Sequence, residues 1–136
     1  MKKTLKTIFL SGPMRGIPRE NARAWREKAK KILGKYFLVL DAYRGREQKE
    51  TFPDPRLAVT RDKRDIMVSD IVLVNDTYKN ASMIGTSMEI LYAYQNNKVV
   101  IIFGEAHKGD YWMDNHSHAR LQNLEDACEL INRMFS

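Results

Sequence analysis

The sequence of 136 residues predicts a single α/β domain built on a parallel β-sheet. Strand and helix signals alternate from one end of the chain to the other, which is typical of this class. The apolar runs that predict the strands are continuous rather than alternating, as expected of strands buried on both faces. The length is that of one average domain, so we expect residues 1–136 to share one core.

The first part of the chain predicts a strand, a turn, a helix and a second strand. Lys3–Leu10 ends in an apolar run and predicts the first strand. Glycine and proline in Ser11–Gly16 predict a turn. Apolar residues at helical spacing then predict a helix over Ile17–Leu33, with Gly34 as its C-cap. Tyr36–Leu40 predicts a second buried strand.

The middle of the chain predicts two helices on either side of a third strand. Asp41–Pro55 is polar and long for a connection, and long loops of this kind are often functional. Arg56–Ser69 predicts a less regular helix, and Ile71–Val74 predicts a short apolar strand. After a polar loop over Asn75–Met83, a helical apolar face predicts a helix over Gly85–Asn96.

The last part of the chain predicts two more strands and a final helix. Val99–Phe103 predicts the fourth strand, Gly104–Ser117 a polar loop, and Ala119–Gln122 a short fifth strand. Asn123 is the expected N-cap of the final helix, whose apolar face includes Cys128. We expect this cysteine to be a small core residue.

In an open parallel sheet the ligand binds beyond the C-terminal ends of the strands, near the switch in strand order. This rule directs the search for a site to four loops: Ser11–Gly16, Asp41–Glu50, Asn75–Gly85 and Gly104–His118.

The net charge of +6 is concentrated at the start of the chain. Residues 1–35 hold 11 Lys and Arg against 2 acids, whereas residues 36–136 hold 12 against 15. No basic run of five is present and aromatic residues do not interleave with the lysines, so a nucleic-acid partner is not expected. We interpret the excess as the solvated face of one basic helix, which can steer a small anion toward a nearby site.

Composition also indicates which compartment and which covalent or metal links to expect. The longest apolar runs are strand-length, so no membrane span is expected. The basic N-terminus is not followed by the apolar region of a signal peptide. One cysteine excludes an intrachain disulfide and a thiolate metal cluster, and we expect a cytoplasmic protein.

The loop Ser11–Gly16 is a candidate anion site. Its glycines allow close backbone approach, the following helix start offers N–H groups, and Arg15 can make a bidentate contact to phosphate. The glycine spacings of a Walker loop and of the dinucleotide fingerprint are both absent. An ordinary β–α turn explains the motif equally well.

Acidic and histidine side chains supply the other candidates. Glu89 falls near the start of a helix at the C-terminal edge of the sheet, where a carboxylate can enter the crevice or simply interact with the helix dipole. Asp62 belongs to an acidic cluster on the helix before the third strand, in which we expect Asp65 to form a surface ion pair and Asp70 to cap or terminate the helix. His116 and His118 have no third ligand at helical spacing, so we expect surface or interface histidines and no metal site.

Three blocks, Phe9–Gly16, Ser69–Val74 and Gly85–Ile90, together resemble the nucleoside 2-deoxyribosyltransferase superfamily. The resemblance spans roughly residues 7–103. It implies a flavodoxin-like (Rossmann-like) three-layer fold with a five-stranded parallel sheet. It also implies cleavage of an N-glycosidic bond, with Glu89 as nucleophile and Asp62 as the second acid.

The first loop matches the branch of this superfamily that hydrolyses nucleoside 5′-monophosphates. That branch carries Gly-x-x-Arg-Gly, and the resemblance therefore assigns phosphate binding to Gly12, Arg15 and Gly16. The phosphate-binding serine of the branch is matched by Ser82 only with one inserted residue, and Ser87 is the alternative. The remaining residues expected in the base and sugar pocket are Phe9, Ser11, Tyr43 and Gly85.

These assignments predict a hydrolase that releases free base and (deoxy)ribose 5-phosphate through a covalent glycosyl-glutamate, with no cofactor. A deoxyribosyltransferase that exchanges bases and a nucleotide-binding sensor without turnover are the alternatives. Family members are oligomers in which a neighbour's loop completes the pocket. We therefore expect at least a homodimer, with part of Asp110–His118 near the partner's site, and a lid over the chain's own site as the alternative.

Overall fold

The computed structural model describes residues 5–43 and 54–136, and these form a three-layer α/β domain. In chain order the elements are β1 (Lys6–Ser11), α1 (Arg19–Leu33), β2 (Phe37–Asp41), α2 (Pro55–Val68), β3 (Ile71–Asn75), α3 (Ile84–Gln95), β4 (Val99–Phe103), α4 (Tyr111–Asn115), β5 (Ala119–Leu121) and α5 (Leu124–Phe135).

Within the described residues the five strands form one sheet in the order β2-β1-β3-β4-β5, and every pair is parallel. The chain moves from β1 to one neighbour and later returns to the other, so the strand order switches between β1 and β3. A crevice is expected beyond the C-terminal ends of these two strands. This topology confirms the predicted five-stranded flavodoxin-like sheet.

Each face of the sheet has its own apolar core. On one side α1 and α5 cover Ile8, Leu10 and Leu73, and Cys128 is fully buried there, as predicted. On the other side α2, α3 and α4 cover Phe9 and Val72. The alternation along β1 and β3 explains why their sequences are apolar throughout.

The helix ends follow local chemistry. The Asp54 carboxylate accepts hydrogen bonds from the first N–H groups of α2, and the Asn123 side chain caps α5 as predicted. Gly34 ends α1, and its N–H donates to the Lys30 carbonyl at 2.8 Å. None of the helices in the described ranges combines the length and apolar character needed to cross a membrane.

The prediction of an irregular loop over Gly104–Ser117 is wrong in part, because α4 lies inside it. The Asp110 side chain caps this helix by accepting from the Met113 N–H at 2.9 Å. Met113 itself is buried in the core beneath α3. One cap and one buried side chain hold a helix of five residues, which is too short to leave a periodic pattern in the sequence.

Candidate functional site

A cavity of about 350 Å³ opens at the crevice that the strand order predicts. The loop after β1 forms one wall, the start of α3 forms the other, and α2 contributes one carboxylate. The lining residues are Gly12, Pro13, Met14, Arg15, Asp62, Ser82, Ile84, Gly85, Thr86 and Glu89. Six of them are residues that the sequence assigns to a phosphate, sugar or catalytic role.

Glu89 is the acidic centre of this cavity. The Ser11 hydroxyl donates a hydrogen bond of 2.6 Å to Glu89 Oε1, which joins the end of β1 to α3 across the strand switch. Since α3 begins at Ile84, Glu89 lies on its second turn rather than its first. The helix dipole acts mainly within the first turn, so a favourable charge at a helix end does not explain this residue.

The surroundings of Glu89 favour its neutral form. Burial of the carboxyl group raises the pKa of Glu89 to about 8, and the negative charge of Asp62 adds to the increase. The Ser11 hydrogen bond and the positive charge of Arg26 lower the pKa and oppose these effects. A carboxyl group with a strongly perturbed pKa in a cleft is a typical feature of a catalytic site.

The start of α3 and the loop after β1 also provide groups that suit an anion. Gly85 and Thr86 belong to the first turn of α3, and within the described part of the chain no side chain caps the N-terminus of this helix at Met83. The exposed side chain of Arg15 lines the same cavity. N–H groups at a helix start together with a guanidinium favour a phosphate or carboxylate group.

The loop between β1 and α1 is packed tightly against the protein. A Cβ added at Gly12 would lie 2.9 Å from Trp25 Cζ2 and 3.1 Å from Asn75 Cβ, so only glycine fits without movement. Gly16 has φ of +81°, a conformation that side chains rarely adopt. These two positions explain both glycines of the Gly-x-x-Arg-Gly motif through backbone geometry.

Not every predicted residue reaches the cavity. Phe9 is fully buried in the core between the sheet and α2 and α3, and Tyr43 is buried with its ring near the Arg26 guanidinium. Gly16 shapes the turn and does not line the wall. Ser82 lines the cavity, whereas Ser87 faces a different one, so the structure brings Ser82 and not Ser87 to Glu89.

The acidic cluster around α2 divides by position. Asp62 lies partly exposed in the cavity wall, with Arg61 Nη2 at 3.8 Å from its Oδ1. Asp65, interpreted from sequence as a surface ion pair, is buried. The prediction that Asp70 caps α2 is wrong. Its carboxylate accepts a hydrogen bond from the Thr7 N–H at 2.8 Å and so ties β1 to the start of β3.

The histidines serve the packing of the last loop. His107 Nδ1 lies 2.6 Å from the fully buried Asp76 carboxylate, which also pairs with Arg120 at 2.8 Å. His118 Nδ1 accepts from the Val100 N–H, and His116 stacks on Trp112. Among the described residues no group of three or more His, Cys, Asp or Glu side chains is arranged to hold a metal ion.

A larger apolar cavity of about 440 Å³ lies on another face of α3. Ser87, Met88 and Leu91 of α3 line it, together with Trp112 and His116 around α4. Ile84 lines both cavities, so they adjoin at the start of α3, whereas Gly85, Thr86 and Glu89 face only the first. The loop that contains α4 therefore packs on a different face of α3 from the one that carries Glu89.

Sequence reasoning missed one charged residue at the site. Arg26 of α1 is fully buried and donates to the Gly12 carbonyl at 3.0 Å. The interpretation of the basic residues as one solvated face is wrong for this arginine. The available signal was its spacing, because Arg26 falls between Ala22 and Ala29 within the apolar stripe of the helix.

No protein-family model and no curated protein matches the sequence. Solved structures do match. A 2-deoxyribosyltransferase of Bacillus psychrosaccharolyticus aligns with a TM-score of 0.69 and 19% identity, covering 88% of each chain. The CMP N-glycosidase BcmB of Clostridium botulinum aligns with a TM-score of 0.66 and 19% identity, covering 94% of this chain and 98% of the other.

A conserved protein of Enterococcus faecalis V583 aligns with a TM-score of 0.72 and 14% identity, covering 96% of this chain and 99% of the other. At these identities the similarity is one of fold, and a fold alone does not define a function. The protein therefore shares its whole-chain fold with a 2-deoxyribosyltransferase and an N-glycosidase, which confirms the fold that the sequence resemblance implies.

Proposed function

We propose that the protein hydrolyses the N-glycosidic bond of a (deoxy)nucleoside 5′-monophosphate, releasing free base and (deoxy)ribose 5-phosphate. The observation that carries the proposal is the joint presence of a Ser11-bound Glu89, Asp62 and Arg15 in one cavity at the strand switch. The fold similarity to a deoxyribosyltransferase and a CMP N-glycosidase supports the same reaction class.

In the first step the ionised Glu89 carboxylate attacks the anomeric carbon C1′ of the sugar. The C1′–N bond breaks through an oxocarbenium-like transition state, and the bonding electrons leave with the base. The two acids hold one proton between them in the reactive form: it lies on Asp62 while Glu89 is ionised, and Asp62 donates it to the departing base. The products of this step are free base and a glycosyl ester of Glu89.

In the second step water attacks C1′ and displaces the Glu89 carboxylate. The Asp62 carboxylate formed in the first step takes the proton of the water, which restores both acids and leaves (deoxy)ribose 5-phosphate. The Ser11 hydroxyl donates to the same Glu89 oxygen in the free protein and so orients the carboxylate toward the cavity.

Phosphate recognition is assigned to residues from both walls of the cavity. Arg15, Ser82 and the N–H groups at the start of α3 surround the space where a 5′-phosphate can be held away from C1′. Binding energy at a group remote from the reacting bond fixes the position of C1′ against Glu89.

The test is chromatography of free base released from a panel of ribo- and deoxyribonucleoside 5′-monophosphates. We expect release by the unmodified protein and by Glu129→Gln, which neutralises an exposed glutamate on α5. Glu89→Gln should bind the same nucleotide and release no base. Full activity in folded Glu89→Gln, or no release from any nucleotide, contradicts the proposal.

Two alternatives give different results in the same assay. A deoxyribosyltransferase, favoured by the similarity to the Bacillus enzyme, forms a new nucleoside when a second free base is added. A sensor binds nucleotide equally well in the unmodified protein and in Glu89→Gln and releases base in neither, because binding without turnover needs no nucleophile. The presence of Arg15 in the cavity favours the monophosphate hydrolase.

We also propose that the working form is at least a dimer, in which part of Asp110–His118 approaches the partner's cavity. Tyr111 is 83% exposed and Trp112 68%, and Ile84 and Met88 on the adjoining face of α3 are 69% and 67% exposed. Contiguous exposed apolar side chains of this kind are typical of an interface. The position of α4 on the side of α3 away from Glu89 favours a partner over a lid on the chain's own site.

Light scattering of fully active protein tests this assembly. A mass near that of one chain, 15.9 kDa, contradicts the dimer. Mixing inactive Glu89→Ala chains with inactive Trp112→Ala chains tests the shared site, because only a site built from two chains regains activity. If Trp112→Ala is inactive and the mixture does not regain activity, a lid over the chain's own site is favoured instead.

A further inference from the structure

Arg26 lies inside the protein beside the proposed active site. Its side chain is fully buried, with Nη2 donating to the Gly12 carbonyl at 3.0 Å and Nη1 to the Ala22 carbonyl at 2.8 Å. Nε lies 3.0 Å from Asp41 Oδ1. The guanidinium also faces the ring of Trp25, with its central carbon 4.6 Å from the ring centroid.

These contacts join α1, the end of β2 and the cavity loop. Asp41 is the acidic member of the group: Lys30 Nζ lies 3.0 Å from Oδ2, and the Tyr43 N–H donates to Oδ1 at 2.8 Å. Gly12 immediately follows Ser11, whose hydroxyl binds Glu89. A single guanidinium therefore connects the back of the cavity loop to a buried carboxylate.

Burying a guanidinium costs more free energy than burying an apolar side chain of similar size. An apolar residue at this position would continue the stripe of α1 and pack on Trp25. The contact with the Gly12 carbonyl and the proximity to the Ser11–Glu89 pair indicate what the charge does. It acts on neighbouring groups, since it lowers the pKa of Glu89 and opposes the increase that burial causes in the pKa of Tyr78.

We propose that Arg26 is a positioning residue of the active site: it fixes the Gly12 carbonyl from inside and places a permanent positive charge beside the Ser11–Glu89 pair. This inference rests on the proposed function in taking Glu89 as the reacting group. Arg26 is not among the residues that line the cavity, so its effect passes through the loop and through the ionisation of Glu89.

Several groups act on Glu89 from the elements around it, and the test must separate Arg26 from them. Ser11 of β1, Arg26 of α1 and Asp62 of α2 act on its pKa, and Arg15 of the cavity loop lines the same cavity. Arg26 has a buried counter-charge, Asp41, that can be neutralised without altering the cavity wall. This pairing provides two substitutions with opposite expected effects.

The experiment is a carbon-13 NMR titration of the Glu89 carboxyl in the unliganded protein, which needs no turnover. Arg26→Gln should raise the pKa of Glu89 and lower its ionised fraction at pH 7 by about twofold, a small change because burial, Ser11 and Asp62 act more strongly on this carboxyl. Asp41→Asn should lower that pKa, because it removes the negative charge that offsets Arg26. Arg26→Lys keeps the charge and should titrate close to the unmodified protein.

Arg23→Gln is the matched control, since it removes the same charge from an exposed position of the same helix. An unchanged pKa of Glu89 in folded Arg26→Gln overturns the proposal. A raised pKa of Glu89 in Asp41→Asn overturns it as well. If Arg26→Gln does not fold, Asp41→Asn alone decides: a lowered pKa supports the proposal and an unchanged one refutes it. Where base release is measurable, the pH profile of kcat/KM should move in parallel.

Failure of the proposed function gives a different result. A protein that releases no base, yet shows opposite titration shifts in the two variants, retains the Arg26 inference and loses only the reaction. Base release without a titration shift in either variant supports the proposed reaction and refutes the role of Arg26.

Discussion

Replacement of Glu89 by glutamine should stabilise the protein at alkaline pH and leave its stability nearly unchanged at acidic pH. The perturbation removes an ionisable group and keeps the size and hydrogen-bonding capacity of the side chain. The pKa of this carboxyl is about 8 in the folded protein against an ordinary value of 4.5. A carboxyl group whose pKa is raised by folding contributes stability below the unfolded value, and this contribution is lost as the pH rises through the folded value.

The magnitude follows from the difference between the two values. Each pKa unit corresponds to about 1.4 kcal/mol, so ionisation of Glu89 in the folded protein costs at most about 5 kcal/mol at pH 9. The side chain is only partly buried, and water reduces this to about 2–3 kcal/mol. For a chain of this length that corresponds to a melting temperature higher by about 6–15 °C in Glu89→Gln.

Urea unfolding at pH 4 and pH 9 measures the effect as a difference between the two proteins. Groups that titrate in both proteins cancel in this difference, including the Cys128 thiol, whose pKa burial raises to about 11. Glu129→Gln, an exposed change on α5, is the control and should show no such pH dependence. A free energy of unfolding that differs equally at both pH values would refute the reasoning, because it would mean that Glu89 ionises normally in the folded protein.

Three further predictions use other parts of the structure. In the carbon-13 titration, the pKa of Glu89 should be lower in Asp62→Asn and higher in Ser11→Ala than in the unmodified protein; an unchanged pKa contradicts the assigned causes. Arg15→Ala should raise KM for a monophosphate about 10- to 100-fold and that for the nucleoside little, and equal losses would mean that Arg15 is structural. Gly104→Ala, with φ of +96° and a Cβ 2.4 Å from a carbonyl oxygen, should lower the free energy of unfolding by at least about 2 kcal/mol, whereas Gly109→Ala in open space at φ of +97° should cost about 1 kcal/mol.

The fold could be predicted because its signals are local and repeated. Runs such as Ile71–Val74 are apolar throughout only when both faces of a strand are covered, and that pattern implies a parallel sheet with helices on both sides. The position of the crevice then follows from topology. The helix α4 could not be predicted, since one cap at Asp110 and one buried side chain at Met113 hold it.

Part of the cavity lining could be predicted, because strand order brings the loop after β1, α2 and the start of α3 to one edge of the sheet. Gly12, Arg15, Asp62 and Glu89 all line the cavity. Phe9 could not be placed correctly by motif alone, because whether a residue at a strand end faces the cavity or the core depends on how deeply α2 and α3 cover it. The burial of Arg26 could not be predicted from composition, because composition does not distinguish a buried arginine from an exposed one on a basic helix.

The charges around Glu89 connect substrate recognition to the chemical step. A phosphate dianion entering the cavity brings more negative charge toward a carboxyl group that burial and Asp62 already keep protonated. Without compensation, binding the substrate would remove the ionised nucleophile that the reaction needs. In the proposed reaction Arg15 and the start of α3 bind the phosphate, while the Ser11 hydroxyl and Arg26 stabilise the Glu89 carboxylate. We therefore expect these two sets of groups together to let an anionic substrate and an anionic nucleophile occupy one cavity.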